Sequence, residues 1–336
     1  MKRSVTLFLA ITMIFALCAC NEPGPAPTSA PTPEQTPVTT GAVYSPVIYK
    51  NHGKRCAVYS MPEKALAIGP NCAEVLCSLG VSDHVIGKCM VNHSHGAPES
   101  LIEAYDAIPT LTVGYPTLSD ILHSGCDFVY ATDWLFSESL TVDMLENNGI
   151  NVYVSEATDY TGLWQEIRDI GSIFGVRAEA DEFILSEQLR MKRVASAIKD
   201  APAQTVLVVD SLIGDKVFTA GGKNIETAYI ASAGCSNVFS SLEESWAAVT
   251  PQEIEALDPD FVIIHDYSGS DFESTLSALH KNKTLSRLDC VRNGRIIKLP
   301  LENLMPGVRS ALTVETIAYT VFYERFSATP ATDAPD

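Results

Sequence analysis

The chain has 336 residues, of which 46% are hydrophobic, and its formal net charge is −18. A balance this acidic argues against a nucleic-acid partner, because binding to DNA or RNA needs a basic surface. The length allows two lobes with well-buried cores, and beyond the first 19 residues no apolar run is long enough to cross a bilayer.

Residues 1–19 are typical of a secretory signal peptide. A basic start, "KR", precedes an apolar stretch at 5–16, which is shorter than the roughly 20 residues that span a bilayer. The ending "LCAC" at 17–20 resembles the lipobox of bacterial lipoproteins. That resemblance implies cleavage before Cys20 and attachment of lipid to this cysteine. The alternative is an ordinary signal peptide that is cut nearby and leaves Cys20 unmodified.

The segment 20–43 is predicted to be a lipid anchor followed by an extended linker. Residues 21–40 contain six prolines and five threonines, a composition that buries too little apolar surface to fold and favours polyproline II. At ~3.1 Å per residue, such a linker reaches on the order of 60 Å from the membrane. We therefore expect a protein that is lipid-anchored at the extracytoplasmic face of the cell membrane.

The cysteines after Cys20 are predicted to be buried free thiols rather than disulfides. Their number is odd, most lie within apolar patterns, and no Cys-x-x-Cys spacing occurs among them. They are Cys56, Cys72, Cys77, Cys89, Cys126, Cys235 and Cys290.

One unit of the sequence occurs twice. "TLSDILHSGCDFVYATD" at 117–133 aligns without a gap with "TPQEIEALDPDFVIIHD" at 250–266. Each copy predicts a short helix, a turn and a buried strand. In each helix an N-cap threonine is followed three residues later by an acid, Asp120 or Glu253, as in a capping box. A strand, a glycine-bearing turn and a helix precede each unit, in "KALAIGPNCAEVLCSLG" and "KVFTAGGKNIETAYIASAG".

Strands that alternate with helices in two halves predict an α/β protein with two lobes and mostly parallel sheets. We assign the N-terminal lobe to 44–160, linking helices to 161–202, the C-terminal lobe to 203–328 and a disordered tail to 329–336. Within the linking segment, apolar residues recur at helical spacing over 178–199, which predicts a long amphipathic helix. A cleft between two lobes is a common place for a small molecule to bind.

The order of these segments resembles a known family, the substrate-binding lipoproteins of ABC importers for cobalamin, ferric siderophores and haem. The resemblance covers about residues 52–325 and rests on "ALAIGPNCAEVLCSLGVSDHVIGK", "IPTLTVGYPTLSDIL", "IGSIFGVRAEADEFI", "AVTPQEIEALDPDFVII" and "VRNGRIIKLP". It implies a class III periplasmic-binding-protein fold, in which two Rossmann-like lobes are joined by a long rigid helix. It also implies a monomer that needs no cofactor and does no chemistry on its ligand.

The resemblance further implies a membrane partner, an ABC permease with a cytoplasmic ATPase. In the family, an acid at the tip of each lobe docks onto arginines of the permease. The family pattern places a glutamate where this chain has Ser119 and Gln252, and here the acids come one position later, at Asp120 and Glu253. These two acids are therefore candidates for docking, for helix capping, or for both.

The ligand is expected to contact loops at the carboxyl ends of the strands. Aromatic side chains suit a flat or bulky chelate, and an arginine could grip a carboxylate or phosphate. The candidates are Tyr115, Trp134, Phe136, Trp246, Tyr267 and Arg309, accompanied by Pro70, Asn71, Asp133, Ser245, His265 and Glu302. The expected ligand is a ferric siderophore, haem or a corrinoid.

Two other functions remain open at this stage. "VNHSHG" brings His93 and His95 close together, as a receptor for bare zinc or manganese would need, but a closed transition-metal site requires three or four ligands. A tethered hydrolase is the other alternative. The chain lacks the G-x-S-x-G, Walker A, G-x-G-x-x-G and H-E-x-x-H motifs, although a dispersed triad would leave no such motif.

Overall fold

The computed structural model describes residues 44–92, 94–268 and 271–327. The signal peptide, the lipid anchor at Cys20, the linker, His93 and the predicted tail lie outside these ranges. The strands are β1 (Val47–Asn51), β2 (Lys54–Val58), β3 (Ala65–Ile68), β4 (Val85–Cys89), β5 (Thr110–Thr112), β6 (Phe128–Thr132), β7 (Asn151–Ser155), β8 (Gln204–Val209), β9 (Ser211–Ile213), β10 (Lys216–Ala220), β11 (Cys235–Asn237), β12 (Trp246–Val249), β13 (Phe261–Asp266) and β14 (Ile296–Pro300).

The helices alternate with these strands. They are α1 (Pro70–Ser78), α2 (Ile102–Ala107), α3 (Leu118–Ser124), α4 (Val142–Glu146), α5 (Tyr160–Ile173), α6 (Arg177–Ala197), α7 (Ile225–Ser232), α8 (Pro251–Leu257), α9 (Asp271–Lys281), α10 (Asp289–Arg292), α11 (Leu301–Leu304), α12 (Ser310–Val321) and α13 (Tyr323–Ser327). No helix among the described residues has both the length and the apolar character needed to cross a membrane.

The N-terminal lobe is a five-stranded parallel sheet in the order β5-β4-β3-β6-β7, with helices on both faces. One face packs against α1, α5 and the first turns of α6, and the other packs against α3 and α4. The turn from β3 into α1 requires a glycine. Gly69 has a φ of 117°, and an added Cβ would lie 2.9 Å from Oδ1 of Asn71.

The C-terminal lobe has a four-stranded parallel sheet in the order β11-β8-β13-β14 and a separate three-stranded antiparallel sheet in the order β12-β10-β9. The strand of "KVFTAGGKN" is β10, and it belongs to the antiparallel sheet. The strand that corresponds to β3 is instead β8, which pairs with β13 as β3 pairs with β6. The expected α/β fold with mostly parallel sheets is confirmed, but the first strand of the second copy lies one segment earlier than the alignment suggested.

The capping boxes of the repeated unit are confirmed. Thr117 and Asp120 form both hydrogen bonds of the box at α3, and Thr250 and Glu253 form both at α8. Each box satisfies two of the backbone N–H groups left open in the first turn, so it defines where the helix begins. The repeat in the sequence therefore corresponds to a repeat of local structure.

The helix α6 connects the lobes, as the sequence predicts. Ala180 and Ile184, in its first half, are buried in the core of the N-terminal lobe, whereas Val194 and the following Ile198 are buried in that of the C-terminal lobe. One helix thus contributes apolar side chains to both cores. The long connection predicted over 178–199 is observed at Arg177–Ala197.

The cysteines of the described residues are free, as predicted. Six of them are buried, whereas Cys56 on β2 is partly exposed. Burial raises the pKa of the Cys77, Cys89 and Cys290 thiols to about 11. Such thiols stay protonated at neutral pH and behave as small apolar side chains.

Candidate functional site

The lobes face each other across a cleft that holds about 610 Å³ of space, including its open mouth. The N-terminal lobe contributes residues 132–134 and 155–158, which follow the ends of β6 and β7. The C-terminal lobe contributes 210, 224–226, 245–246, 265, 267, 301 and 304–306. Most of these residues follow the carboxyl ends of parallel strands, where open α/β sheets bind ligands.

His265 lies at the centre of the C-terminal wall, between two carboxylates. Its Nδ1 is 3.1 Å from Oδ1 of Asp210, and its Nε2 is 3.0 Å from Oε2 of Glu226. Burial alone would lower the pKa of this imidazole, but Glu226 and Asp210 outweigh burial and raise it to about 9. At neutral pH the ring is therefore protonated, and both of its N–H groups donate to these acids.

Aromatic rings surround this histidine. The ring of Trp246 stacks on Phe218 with centroids 5.3 Å apart and meets His265 edge-on at 6.0 Å. The hydroxyl of Tyr267 donates to Asp210. Burial is the main cause that raises the pKa of this hydroxyl, and Asp210, Glu226 and Tyr115 add to the effect. The C-terminal wall thus combines packed aromatic rings with an acid–histidine network whose members already hydrogen-bond to one another.

A different polar network lies behind the N-terminal wall. The amide of Asn71 donates to Oγ of Ser155 at 3.1 Å and to the carbonyl of Pro306 at 2.9 Å, which links the two lobes at the cleft. The fully buried Glu166 accepts a hydrogen bond of 2.5 Å from the Tyr130 hydroxyl. Burial raises the pKa of Glu166 to about 7, although hydrogen bonds from Tyr130 and Ser155 oppose the shift.

The structure brings together part of the predicted site. Trp134, Trp246 and Tyr267 line the cleft, and so do Asp133, Ser245 and His265. Trp134 is 42% exposed and therefore available at the surface of the cleft, whereas Phe136 packs against the core of the N-terminal lobe. Tyr115 is 60% exposed and does not line the cleft, although it lies close enough to influence Tyr267.

Arg309 differs from its expected position as a ligand contact. Its guanidinium is buried and forms a two-pronged pair with Glu74 of the N-terminal lobe, at 2.9 and 2.5 Å. It also donates to Asn303 and lies 3.9 Å from Glu302. Because these partners use its donors and it does not line the cleft, the arginine joins the lobes instead of reaching a ligand there.

Sequence reasoning missed Asp210 and Glu226, the two acids that hold His265. A signal for Asp210 was present, since it directly follows the buried run "TVLVV" of β8. The repeat alignment instead predicts "KVFTA" as the first strand of the second half. Glu226 lies in the first turn of α7, which follows two glycines whose added Cβ atoms would lie 2.3 Å from backbone oxygens of the 240–244 loop. These glycines therefore allow the backbone at 221–222 to lie close to the backbone of the 240–244 loop.

Of the two histidines in "VNHSHG", the structure describes His95, which does not line the cleft. His95 joins the lobes, because its Nε2 is 3.0 Å from Asp266 and its Nδ1 is 3.5 Å from Glu302. Within the described ranges, His52, Cys56 and Glu146 form one trio with donor atoms close enough for a metal ion. The ammonium of Lys54 lies 3.5 Å from Glu146, so this carboxylate already has a cationic partner.

Comparison with known proteins relates this geometry to a family. A family model described as "Periplasmic binding protein" matches residues 102–302. A protein named "Cobalamin-binding protein" from Halobacterium salinarum is 24% identical over 276 residues, which cover 80% of this chain and 72% of the relative.

Two solved structures share the fold. A periplasmic binding protein from Veillonella parvula superposes with a TM-score of 0.74 at 24% identity, covering 82% of this chain and 97% of that one. An ABC-type Fe3+-hydroxamate transport system protein from Saccharomonospora viridis gives a TM-score of 0.70 at 22% identity, with coverage of 82% and 98%.

Proposed function

Because the chain belongs to the periplasmic binding protein family, we propose that it is an extracytoplasmic solute-binding lipoprotein that carries an iron complex or a corrinoid. The cleft carries this proposal, because it is the place where aromatic rings from both lobes, Trp134, Trp246 and Tyr267, face one space. Flat aromatic surfaces suit a large chelate. The cobalamin-binding relative and the hydroxamate-transport neighbour support the same ligand class.

Ligand transfer is proposed to follow from the fold. The loaded protein docks onto an ABC permease, and ATP hydrolysis on the cytoplasmic side drives release into the cell. Asp120 and Glu253 are the proposed docking acids, because both are exposed and each lies in the first turn of the corresponding helix of its lobe. Their roles in helix capping do not conflict with docking, since one carboxylate can accept backbone N–H groups and still face solvent.

Arg309 is proposed to limit motion between the lobes. Its pair with Glu74, the bond from Asn71 to Pro306 and the contacts of His95 all cross from one lobe to the other. Together with α6, these contacts favour modest closure around a ligand over a wide hinge motion. The protein is proposed to act as a monomer, tethered to the membrane through Cys20, and to perform no chemistry on its cargo.

Retention of a coloured ligand tests the proposal. The purified protein is incubated with cobalamin, haemin and a panel of ferric siderophores, desalted, and examined by absorbance. We expect one chelate to be retained at one-to-one stoichiometry and to be lost in the Trp246→Ala variant. Failure to retain any chelate, combined with tight binding of zinc or manganese, would replace this proposal with the metal-ion receptor.

A further inference from the structure

The charged side chains that line the cleft are nearly all acidic. The described lining residues include four carboxylates, Asp133, Glu156, Asp210 and Glu226, and one histidine, His265, but neither lysine nor arginine. Carboxylates therefore outnumber cationic groups four to one even when the histidine is protonated. The electrostatic character of the cleft is set by these local groups, since more distant exposed charges are screened by salt.

Two cationic side chains that do not line the cleft, Arg309 and Lys298, already have partners. Arg309 is held by Glu74 and Asn303, behind the cleft. Lys298 lies 3.0 Å from Asp266, with its ammonium over a phenylalanine ring. A ligand carboxylate or catecholate would therefore have to displace an existing pair to gain Arg309 or Lys298 as its partner.

The positive charge of His265 is also engaged. The ring is 1% exposed, and each of its nitrogens has a carboxylate partner. It can neither donate a hydrogen bond to a ligand nor coordinate a metal through these nitrogens without breaking one of those contacts. The Tyr267 hydroxyl likewise donates to Asp210. The C-terminal wall therefore offers ligands more acceptors than donors.

We infer that the cleft selects a chelate that is neutral or positively charged and carries hydrogen-bond donors on its periphery. This inference rests on the proposed function and narrows its ligand class. Corrinoids with primary amide side chains and ferric hydroxamates with a free ammonium group satisfy it. Haem, with its carboxylates, and the multiply negative ferric tricatecholates do not.

The expected discrimination follows from charge repulsion at short range. A negative charge placed a few ångströms from the cleft carboxylates, which outnumber the single imidazolium of His265, is disfavoured by about tenfold or more in affinity. An amide N–H at the same position instead gains a charge-assisted hydrogen bond. Replacing a single amide of a ligand with a carboxylate therefore changes its electrostatic interaction with the cleft from attractive to repulsive, while the size of the ligand stays the same.

Matched ligands of equal shape provide the test. Cobalamin is compared with monocarboxylates made by hydrolysis of one peripheral amide. A ferric trihydroxamate with a free amine is compared with its succinylated, anionic derivative. We expect the purified protein to bind the neutral or cationic member of at least one pair tenfold or more tightly, as measured by fluorescence titration, and the preference to weaken as salt is added.

Isosteric variants locate the source of the preference. Asp133 and Glu156 are exposed at the N-terminal wall, so the double variant Asp133→Asn/Glu156→Gln removes two charges without disturbing the His265 network. We expect its preference to fall to about threefold or less. The matched control Asp83→Asn/Glu103→Gln neutralises two exposed acids outside the cleft and should retain the full preference.

The outcomes separate this inference from the proposed function. If haemin, a tricatecholate or the anionic member of each pair binds as tightly as its counterpart, the protein remains a chelate receptor but charge selection is refuted. A preference that persists unchanged in the Asp133→Asn/Glu156→Gln variant would also refute it. If no chelate of any charge binds, the proposed function itself fails.

Discussion

The two walls of the cleft follow corresponding strands of the two lobes, but the buried ionisable group is an acid in one lobe and a base in the other. In the N-terminal lobe, a buried acid, Glu166, lies behind the wall and is bound by neutral hydroxyl donors. In the C-terminal lobe, a buried base, His265, lies in the wall and is held by two acids. The first network is neutral when its acid is protonated, whereas the second carries charge throughout the neutral range.

This difference shows where the structural similarity between the two halves ends. The two halves share helix caps, buried strands and sheet order up to the carboxyl ends of β6 and β13. Beyond the aligned unit, the N-terminal half continues with Trp134 and the C-terminal half with Tyr267. Scaffold positions are constrained by packing in both lobes, whereas the loops that follow are free to differ and so to carry specificity.

The largest expected effect comes from the contact that holds the two walls together. Arg309→Met leaves the carboxylate of Glu74 buried without its partner, and Glu74 is 1% exposed. Removal of one member of a buried pair typically costs about 3–5 kcal/mol. We expect a loss of this size in the free energy of unfolding, measured by urea denaturation with probes in both lobes.

Two further variants sharpen this result. Arg177→Met breaks an exposed pair with Asp181 and should cost less than about 1 kcal/mol. The double variant Glu74→Gln/Arg309→Met should recover much of the loss, because no unpaired charge remains. If the Arg177 and Arg309 variants lose the same free energy of unfolding, the buried pair between the lobes stabilises the protein no more than an exposed pair does.

The next effect is the pH dependence that the C-terminal wall imposes. The pKa of His265 is about 9 in the folded protein and about 6.5 in an unfolded chain. Its contribution to stability is therefore complete below pH 6.5 and is lost as the pH rises through 9. We expect a fall of up to about 3 kcal/mol in the free energy of unfolding between pH 6 and 9.5. His265→Gln should remove this dependence; an unchanged pH profile in that variant would assign it to other groups.

Much of the scaffold could be predicted from the sequence, but only part of the site. The capping boxes, the buried runs of β6 and β13 and the long α6 follow from local patterns of residue type, so they were predictable. Trp134 was predicted because it follows the buried strand β6, and Trp246 because aromatic side chains were expected in loops that face the cleft. The partners of Arg309 could not be predicted, because Glu74 lies 235 positions away in the chain and no local sequence pattern indicates such a pair.

The N-terminal wall should show its own pH dependence in a different range. Burial raises the pKa of Glu166 to about 7, from about 4.3 in an unfolded chain. Stability from this group is nearly complete at pH 4 and is lost as the pH rises through 7, by about 3 kcal/mol. Glu166→Gln, which keeps an acceptor for the Tyr130 hydroxyl, should be more stable than the unmodified protein at pH 8 and equal to it at pH 4. Equal stability at both pH values would contradict the raised pKa.

The smallest effect on the folded protein is expected at the two exposed acids, where the lobes are alike. Hydrogen bonds from Thr117 and Thr250 lower the pKa of Asp120 and Glu253, so both charges persist in mildly acidic medium. Asp120→Asn/Glu253→Gln keeps an acceptor oxygen for each helix cap but removes the charge. Stability and ligand affinity should hardly change, whereas uptake by cells should fall severalfold if these acids bind permease arginines.

A matched control separates docking from a general loss of negative charge. Glu103→Gln/Glu255→Gln neutralises one exposed acid in each lobe at positions outside the capping boxes. Uptake in this variant should equal that of the unmodified protein. If the two double variants reduce uptake equally, overall charge attracts the protein to its partner. If only the Asp120 and Glu253 variant is impaired while its affinity is intact, the first turns of α3 and α8 form the contact. A loss of ligand affinity in that variant would instead remove the docking assignment.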